Sequence, residues 1–288
     1  MPVRKKYDIS FLEQPLFAQQ LGVFSTQKLS DSEFEIFLIL LKKKFKLVSN
    51  YPFSISNYQE YRNSFDKIFE KQSLKKYCTH HLSLLQEYAQ IRQKYSRDTK
   101  YRINQAQKQN FEVLESSDID LLYTFFERSV FLEDGISKEA KPILKNLFDV
   151  LNNKNMTTLC YVRNQNKEIL SGVLFVKDKT IYQNKTIIKW IYLFNAANTN
   201  IKERNESRRW FLDKFIRENS YQKDNFGSEK VNKENILDFE SAQEPKVARF
   251  YASFGSEEKV FYVLNYNNLS AFIKIAQRIV QFIKNKIL

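Results

Sequence analysis

The chain has 288 residues, of which 43% are hydrophobic and 15% aromatic. This composition favours a globular fold with a substantial core and excludes a disordered chain. Lysines and arginines (46) outnumber aspartates and glutamates (33), giving a net charge of +13. Such a charge is compatible with binding to nucleic acid, anionic lipid headgroups or a phosphorylated substrate, and does not distinguish these partners. The alternative is a basic surface that contacts only solvent.

The few cysteines and histidines exclude several kinds of site. Cys78 and Cys160 lie far apart without the spacing of a zinc site or a disulfide framework, so reduced thiols are expected. His80 and His81 are adjacent, and on a strand their rings would lie on opposite faces. The sequence therefore predicts no metal site and argues against a histidine-based catalytic triad.

Targeting and membrane signals are weak. Residues 1–6 include basic side chains, but no apolar segment follows them, so we expect no signal peptide. The longest apolar run, Phe34–Leu41, is interrupted by Glu35 and is too short to span a bilayer. A soluble cytoplasmic protein is the expectation.

The first half of the chain predicts helices joined by short strands. Pro15–Phe24 is expected to be an extended opening segment with a glycine turn, and Ser30 with Glu33 has the spacing of a capping box at a helix start. The elements predicted here are a helix at Asp31–Lys44, a strand at Lys46–Ser49, a loop with some strand character at Glu60–Phe69, a strand at Tyr77–Leu84, one long helix at Leu85–Asn110, a strand at Phe111–Glu115, and helices at 118–130 and 138–152.

The second half predicts a meander of strands followed by alternating helices and strands. Polar turns separate four β-rich runs, at Thr157–Arg163, Glu168–Val176, Thr180–Gln183 and Lys189–Phe194. The later elements are a helix at Glu206–Asn219, a strand at Ile236–Ser241, a helix within Ala248–Gly255, a strand at Lys259–Leu264 and a helix at Leu269–Ile287. This order predicts an α/β fold with a mixed, largely antiparallel sheet flanked by helices.

The strand Ile236–Ser241 carries two acids. Asp238 and Glu240 are two residues apart, so on a strand both side chains project from one face, while Leu237 and Phe239 point the other way into a core. Two carboxylates on one strand face, beside a helix rich in aromatic residues, are a candidate site.

Four segments in this order resemble the GNAT acyltransferase superfamily, in particular its two-lobed branch of Fem-type peptidyltransferases and related acetyltransferases. Pro15–Phe24 is similar to the family pattern P…QQ.G.F, and Arg102–Lys108 to R.NI.KA.K. Leu237–Ser241 is similar to DFEGS, although Ser241 stands where the family has glycine, and Ala248–Gly255 is similar to A.FY..FG. The resemblance covers most of the chain. It implies two tandem GNAT-like lobes, a reduced one at 1–110 and a complete one at 111–288.

In GNAT enzymes a tyrosine four residues before a glycine protonates the departing thiolate, and Tyr251 and Gly255 have that spacing. The resemblance places Glu240 near the attacking amine, as a general base whose pKa is raised beside Asp238. The alternatives are that Tyr251 is a buried core tyrosine, and that one acid caps the following turn while the other pairs with Arg249.

The segment that would bind a phosphate departs from the family. GNAT enzymes hold the coenzyme A pyrophosphate on a glycine-containing RxxGxG/A turn at a helix N-terminus. Here the corresponding residues are 204–209, where Arg204 is kept and Ser207 and Arg209 replace the small residues. Arg204, Ser207 and Arg208 are the candidate cofactor-binding residues, or else a solvated helix start. The donor is therefore expected to be acetyl-CoA or another acyl-CoA, with aminoacyl-tRNA as the alternative that needs no such turn and suits a basic chain.

Two hypotheses follow. The first is an acyl- or aminoacyltransferase acting on an amine of a cell-envelope or polysaccharide precursor, with Arg102, Gln19 and Gln20 binding the substrate. The second is a degenerate transferase fold that binds an anionic polymer or partner through its basic surface. The amphipathic segment Leu269–Ile287 suits either packing on the body of the protein or contact with a membrane surface.

Overall fold

The computed structural model describes residues 1–6, 8–130, 139–182, 185–202, 204–221, 233–240 and 243–275. By their contacts these residues form two compact units, Met1–Tyr77 with Val260–Leu288, and Cys78–Lys259. This division is not the same as the predicted lobes 1–110 and 111–288, which stay a prediction.

The described residues of unit 1 form a four-stranded sheet and two helices of 14 residues, and residues 271–275 are also helical. Its strands have the order β1-β2-β3-β10, with the β2–β3 pair parallel and the other two pairs antiparallel. Its elements are β1 (Val3–Lys6), β2 (Ile9–Glu13), α1 (Asp31–Lys44), β3 (Leu47–Pro52), α2 (Ile55–Ile68) and β10 (Glu257–Asn267), of which the last begins in the second unit.

The predicted capping box sets the start of α1. The Ser30 hydroxyl accepts the Glu33 N–H, and the Glu33 carboxylate accepts the Ser30 N–H at 2.8 Å. The loop predicted at Glu60–Phe69 is wrong, because α2 contains residues 60–68. Ser54 caps α2 by accepting the Asn57 N–H, a start signal that the weak periodicity of the segment concealed.

The opening segment of unit 1 is fastened to α2. The buried Asn57 side chain bonds both the N–H and the carbonyl of Val23. Gly22 has φ +134°, and a Cβ there would lie 2.2 Å from the Asn57 amide oxygen. Glycine is therefore needed both for its backbone conformation and for the close approach.

Unit 2 has a six-stranded sheet in the order β4-β9-β8-β7-β6-β5, in which only the β8–β9 pair is parallel. Its strands are β4 (Leu74–Ser83, beginning in unit 1), β5 (Glu112–Glu115), β6 (Thr157–Arg163), β7 (Ile169–Tyr182), β8 (Lys185–Ala197) and β9 (Lys233–Asp238). Its helices are α3 (Tyr88–Gln93), α4 (Arg97–Ala106), α5 (Ile119–Val130), α6 (Ala140–Asn152), α7 (Arg204–Asn219) and α8 (Pro245–Ala252). The predicted α/β class with a mixed, largely antiparallel sheet flanked by helices is confirmed.

Three predicted boundaries in unit 2 are corrected. The long helix at Leu85–Asn110 is two helices, because Ser96 accepts the Thr99 N–H and starts α4 anew. The two middle β-rich runs are one strand, β7, which continues through residues 177–179. The strand with the two acids ends at Asp238, so Glu240 lies beyond it. The segments 137–138 and 276–287 of two predicted helices lie outside the described residues, while 271–275 are helical.

Helices cover both faces of the unit 2 sheet. On the first face the aromatic and aliphatic residues of β6–β9 pack against α4, α7 and α8, with Phe175 stacked on Phe215 at 3.9 Å. On the second face α5 packs on β8, and Phe126 meets Phe194 edge to face at 4.8 Å. Among the described residues, no helix has both the length and the apolar character needed to cross a membrane.

Candidate functional site

The end of β9 is the centre of the candidate site. β9 lies between two partners, and Asp238 faces Ile191 of β8 and His81 of β4 in the register. Beyond Ile191, β8 continues to Ala197, whereas β9 has ended. Two parallel strands that part in this way leave backbone groups of β8 without a partner from β9, and this opening is called the strand gap below.

Asp238 is the hub of a charged network on the second face of the sheet. Its side chain has no exposed surface and accepts the Thr79 hydroxyl at 2.8 Å. Lys189 Nζ forms an ion pair with Asp238 Oδ2 at 2.6 Å, and His81 Nε2 lies 3.1 Å from the same oxygen. Burial acts to raise the pKa of Asp238, but His81 and Lys189 outweigh it and hold that pKa well below its usual range. Asp238 is therefore ionised at neutral pH.

Glu240 has the opposite electrostatic character. Its backbone is left-handed, with φ +42°, and its N–H donates to the Asp238 carboxylate at 3.0 Å. Burial, and then the charge of Asp238, raise the pKa of Glu240 to about 8, against a smaller opposing effect of Lys189. Two neighbouring carboxyl groups thus differ in protonation at neutral pH, an arrangement suited to proton transfer.

Tyr251 lies on the first face of the sheet. Its ring is stacked on Phe239 at 4.6 Å and meets Tyr192 edge to face at 5.9 Å. Because Phe239 follows Asp238 directly, their side chains point to opposite faces. Burial raises the pKa of Tyr251 to about 12, while Arg208 and a hydrogen bond with Asn195 act to lower it. Tyr251 therefore keeps its proton and can donate it.

Two polar groups beside Tyr251 are buried without a partner among the described residues. They are the Tyr192 hydroxyl and Arg208 Nε. Arg208 also donates to the side chains of Asn195 at 3.3 Å and Asn205 at 3.1 Å. Buried donors without an acceptor are rare in proteins and cost free energy, so we expect a bound water or a ligand to supply the missing acceptors.

The other candidate cofactor residues serve the protein itself. Arg204 donates to the carbonyls of Thr199 and Ile201 and so holds the loop before α7. Ser207 has no exposed surface, and its hydroxyl lies 2.8 Å from that of Ser171. Of the three predicted cofactor-binding residues, the structure brings only Arg208 beside Tyr251.

The predicted substrate-binding residues also have local partners. Arg102 donates through Nε to both carboxylate oxygens of Asp98, at 3.0 and 2.9 Å, and lies 3.6 Å from Glu206. In unit 1, the Gln20 side chain accepts the Ile55 N–H at 3.1 Å and donates to Gln19 at 3.4 Å, which supports the start of α2. These are local contacts within the protein, and a substrate-binding role for the three residues stays a prediction.

Sequence reasoning missed the partners of the candidate residues. These partners come from strands that are distant in the sequence. Around Asp238 they are Thr79, His81 and Lys189, and around Tyr251 they are Tyr192 and Asn195. The adjacent His80 and His81 indicate that one histidine lies on each face of a strand, but they do not identify β9 as the neighbouring strand. Among the described residues, no group of three histidine, cysteine, aspartate or glutamate side chains is arranged to hold a metal ion.

Comparison with known proteins supports the fold. No protein family profile and no curated protein matches the chain. A crystal structure of FemX matches with TM-score 0.52 and 12% identity, over 82% of this chain and 77% of FemX. A conserved protein of unknown function from Bacteroides thetaiotaomicron matches with TM-score 0.48 and 12% identity (81% and 76% of the two chains), and L-PGS from Bacillus licheniformis with 0.45 and 9% (85% and 77%). The chain has a GNAT-like fold of the Fem type.

Proposed function

We propose that this chain is an acyl- or aminoacyltransferase that moves an activated acyl group onto an amine at the strand gap. The observation that carries the proposal is the set of buried donors on the first face. The Tyr192 hydroxyl and Arg208 Nε have no partner among the described residues, and both lie around the proton-bearing Tyr251. A polar acyl donor bound there would supply the missing acceptors.

The chemistry assigns a proton donor and a proton acceptor. The amine nitrogen attacks the acyl carbon of a thioester or ester, the new C–N bond forms, and the bond to the leaving sulfur or oxygen breaks. Tyr251 gives its proton to the leaving atom, and the attacking amine loses one proton. Glu240, with a pKa of about 8, accepts that proton in its ionised form. Asp238 is a positioning residue, because it holds the Glu240 backbone through the N–H contact.

The donor favoured by the loop before α7 is aminoacyl-tRNA. Arg204 and Ser207 are bonded within the protein, and glycine is absent from residues 204–209, so a tight cradle for the coenzyme A pyrophosphate is lacking there. A chain of net charge +13 also suits the phosphates of tRNA. The same features suit the alternative hypothesis of an inactive basic binding protein. The proton-bearing Tyr251 and the raised pKa of Glu240 support the transferase instead.

The acceptor class and the compartment follow from the resemblance to Fem-type enzymes. We propose an amine of a cell-envelope or polysaccharide precursor, modified in the cytoplasm, where aminoacyl-tRNA and acyl-CoA are made.

A binding and transfer experiment tests the proposal. The midpoint of thermal unfolding is measured with acetyl-CoA, with a mixture of aminoacyl-tRNAs and with uncharged tRNA, and labelled aminoacyl groups are followed onto a panel of amine acceptors. We expect aminoacyl-tRNA to stabilise the chain by about 2.7 kcal/mol at a hundredfold excess over its Kd, and to stabilise it more than uncharged tRNA does. Arg208→Gln should remove this difference.

Arg217→Gln is the matched control, because Arg217 lies exposed on the same helix and carries the same charge. Stabilisation by acetyl-CoA alone would transfer the proposal to the acyl-CoA donor. No stabilisation by any donor, with no transfer, would contradict it. Equal stabilisation by charged and uncharged tRNA without transfer would favour the binding protein.

A further inference from the structure

Helix α1 of unit 1 has apolar side chains on two opposite faces. Phe34, Leu38 and Leu41 point into the core and are at most 2% exposed. Ile36, Ile39 and Leu40 lie on the outward face and are 57%, 49% and 57% exposed. At 100° per residue these three share one side of the helix, directly opposite the core. They are called the α1 outer face below, and the described residues do not cover it.

Lysines surround the C-terminal end of this face. Ile39 and Ile68 form, with four lysines, an open depression of about 400 Å³; the lysines are Lys42, Lys43, Lys46 and Lys67. Lys67 pairs with Glu35 at 2.6 Å, and Lys42 donates to the Ile68 carbonyl at 2.9 Å.

Lys43 and Lys46, unlike Lys67, have no carboxylate partner among the described residues. Within the described part of the chain neither has a carboxylate within 4 Å, and Lys44, also in the last turn of α1, adds a further positive charge. The depression therefore combines exposed aliphatic surface with unneutralised ammonium groups.

The combination of exposed aliphatic side chains and lysines favours one class of binding partner over others. RNA would pair with the lysines, but it would gain little from three aliphatic side chains, because single-stranded RNA binds on aromatic platforms. A second copy of this chain would bring the same lysines against the first in a two-fold contact, and three half-exposed side chains are far from the roughly 800 Å² per partner that a stable interface buries. An anionic bilayer satisfies both features, since headgroup phosphates pair with lysines and the acyl boundary receives the aliphatic side chains.

We propose that the α1 outer face docks the protein on an anionic phospholipid surface. Ile36, Ile39 and Leu40 enter the boundary between headgroups and acyl chains, while Lys43 and Lys46 contact lipid phosphates. This surface belongs to unit 1 alone and does not depend on the proposed transfer reaction.

Vesicle co-sedimentation of the full chain tests the proposal. The probes are vesicles of phosphatidylglycerol mixed with phosphatidylcholine and vesicles of phosphatidylcholine alone, at low and at physiological salt. We expect binding to the anionic vesicles that weakens with salt. Lys43→Gln with Lys46→Gln should weaken partition about 10- to 30-fold at low salt. Ile39→Ser with Leu40→Ser should weaken it about tenfold at both salt concentrations, because it removes buried apolar area.

Matched controls make the same changes in unit 2. Lys108→Gln with Lys154→Gln removes two exposed charges, and Val150→Ser with Ile181→Ser removes two exposed apolar side chains. Unchanged thermal midpoints confirm folding, which is expected because all these positions are exposed. Equal loss in the controls, equal binding to neutral vesicles, an effect of the α1 changes on RNA binding alone, or a dimer that dissociates on Leu40→Ser would each overturn the proposal.

Discussion

At the end of β9, the two faces of the unit 2 sheet surround the strand with different kinds of side chain. On the first face, Tyr251 is held by aromatic packing against Phe239 and Tyr192, with uncharged hydrogen-bonding groups and Arg208 at its edge. On the second face, Asp238 is held by an ion pair with Lys189 and by a contact with His81. Burial keeps the proton on Tyr251, and Lys189 and His81 hold Asp238 ionised. Burial, and then the charge of Asp238, raise the pKa of Glu240 to about 8. One strand end therefore lies beside a tyrosine that keeps its proton and a carboxyl group that, with a pKa of about 8, can accept a proton in its ionised form.

Removal of the Tyr251 hydroxyl should have the largest effect. In Tyr251→Phe the ring keeps its stack on Phe239, so the fold should be retained, whereas loss of the general acid should lower the transfer rate about 10²- to 10⁴-fold. Initial rates with labelled aminoacyl-tRNA measure it. Tyr101→Phe, at an exposed tyrosine, is the control and should leave the rate unchanged. An unchanged rate in Tyr251→Phe would leave the first face with a structural role only.

Loss of the Asp238 carboxylate should be the largest effect on stability. Asp238→Ala leaves Lys189 and His81 without their buried partner, and we expect the free energy of unfolding to fall by about 3–5 kcal/mol. Urea denaturation measures this change. Asp98→Ala, which breaks an exposed pair with Arg102, should cost less than about 1 kcal/mol. Equal losses in the two variants would mean that the network on the second face is no stronger than a surface ion pair.

A smaller and pH-dependent effect is expected for Glu240. Its folded pKa of about 8 exceeds the unfolded value of 4.5, so the folded state binds the proton more tightly between these pH values. Stability from this group is therefore complete below about pH 4.5 and is lost as pH rises towards 8 and above. Asp238 contributes no slope here, because its lowered pKa confines its effect to more acidic pH.

Glu240→Gln should remove this slope. The variant should become more stable relative to the natural chain as pH rises from 5 to 9, by up to about 2 kcal/mol once solvent access to the side chain is allowed for. Urea midpoints at several pH values measure the difference. A constant difference across this range would show that Glu240 is ionised throughout, and the distinction between the two carboxyl groups would be lost.

The sequence predicts the parts of this site that depend on local spacing. The capping residues of α1, the alternation that buries Leu237 and Phe239, and the approximate bounds of α7 and β10 all follow from short-range patterns. The resemblance to the Fem type, through four short segments, indicated the fold that the comparison with FemX supports.

Long-range pairing explains what could not be predicted. Asp238 meets His81 only because β9 lies beside β4, more than 150 residues away in the chain, and no local pattern specifies that register. The left-handed conformation of Glu240 likewise turns the second acid out of the strand, against the alternation that placed both acids on one face. Ser207 forms a hydrogen bond with Ser171, and Arg204 donates to a loop carbonyl. The spacing of residues in the sequence does not reveal either partner.

The most direct test of a donor site at the strand gap is hydrogen–deuterium exchange of β8 with and without a donor. The probes are an aminoacyl-tRNA analogue with a stable amide linkage, uncharged tRNA and acetyl-CoA. We predict that the charged analogue slows exchange at the backbone amides of residues 192–197, where β8 continues beyond β9, and leaves the amides of β6 unchanged. Exchange at residues 192–197 that is identical with every donor and with none would contradict the account.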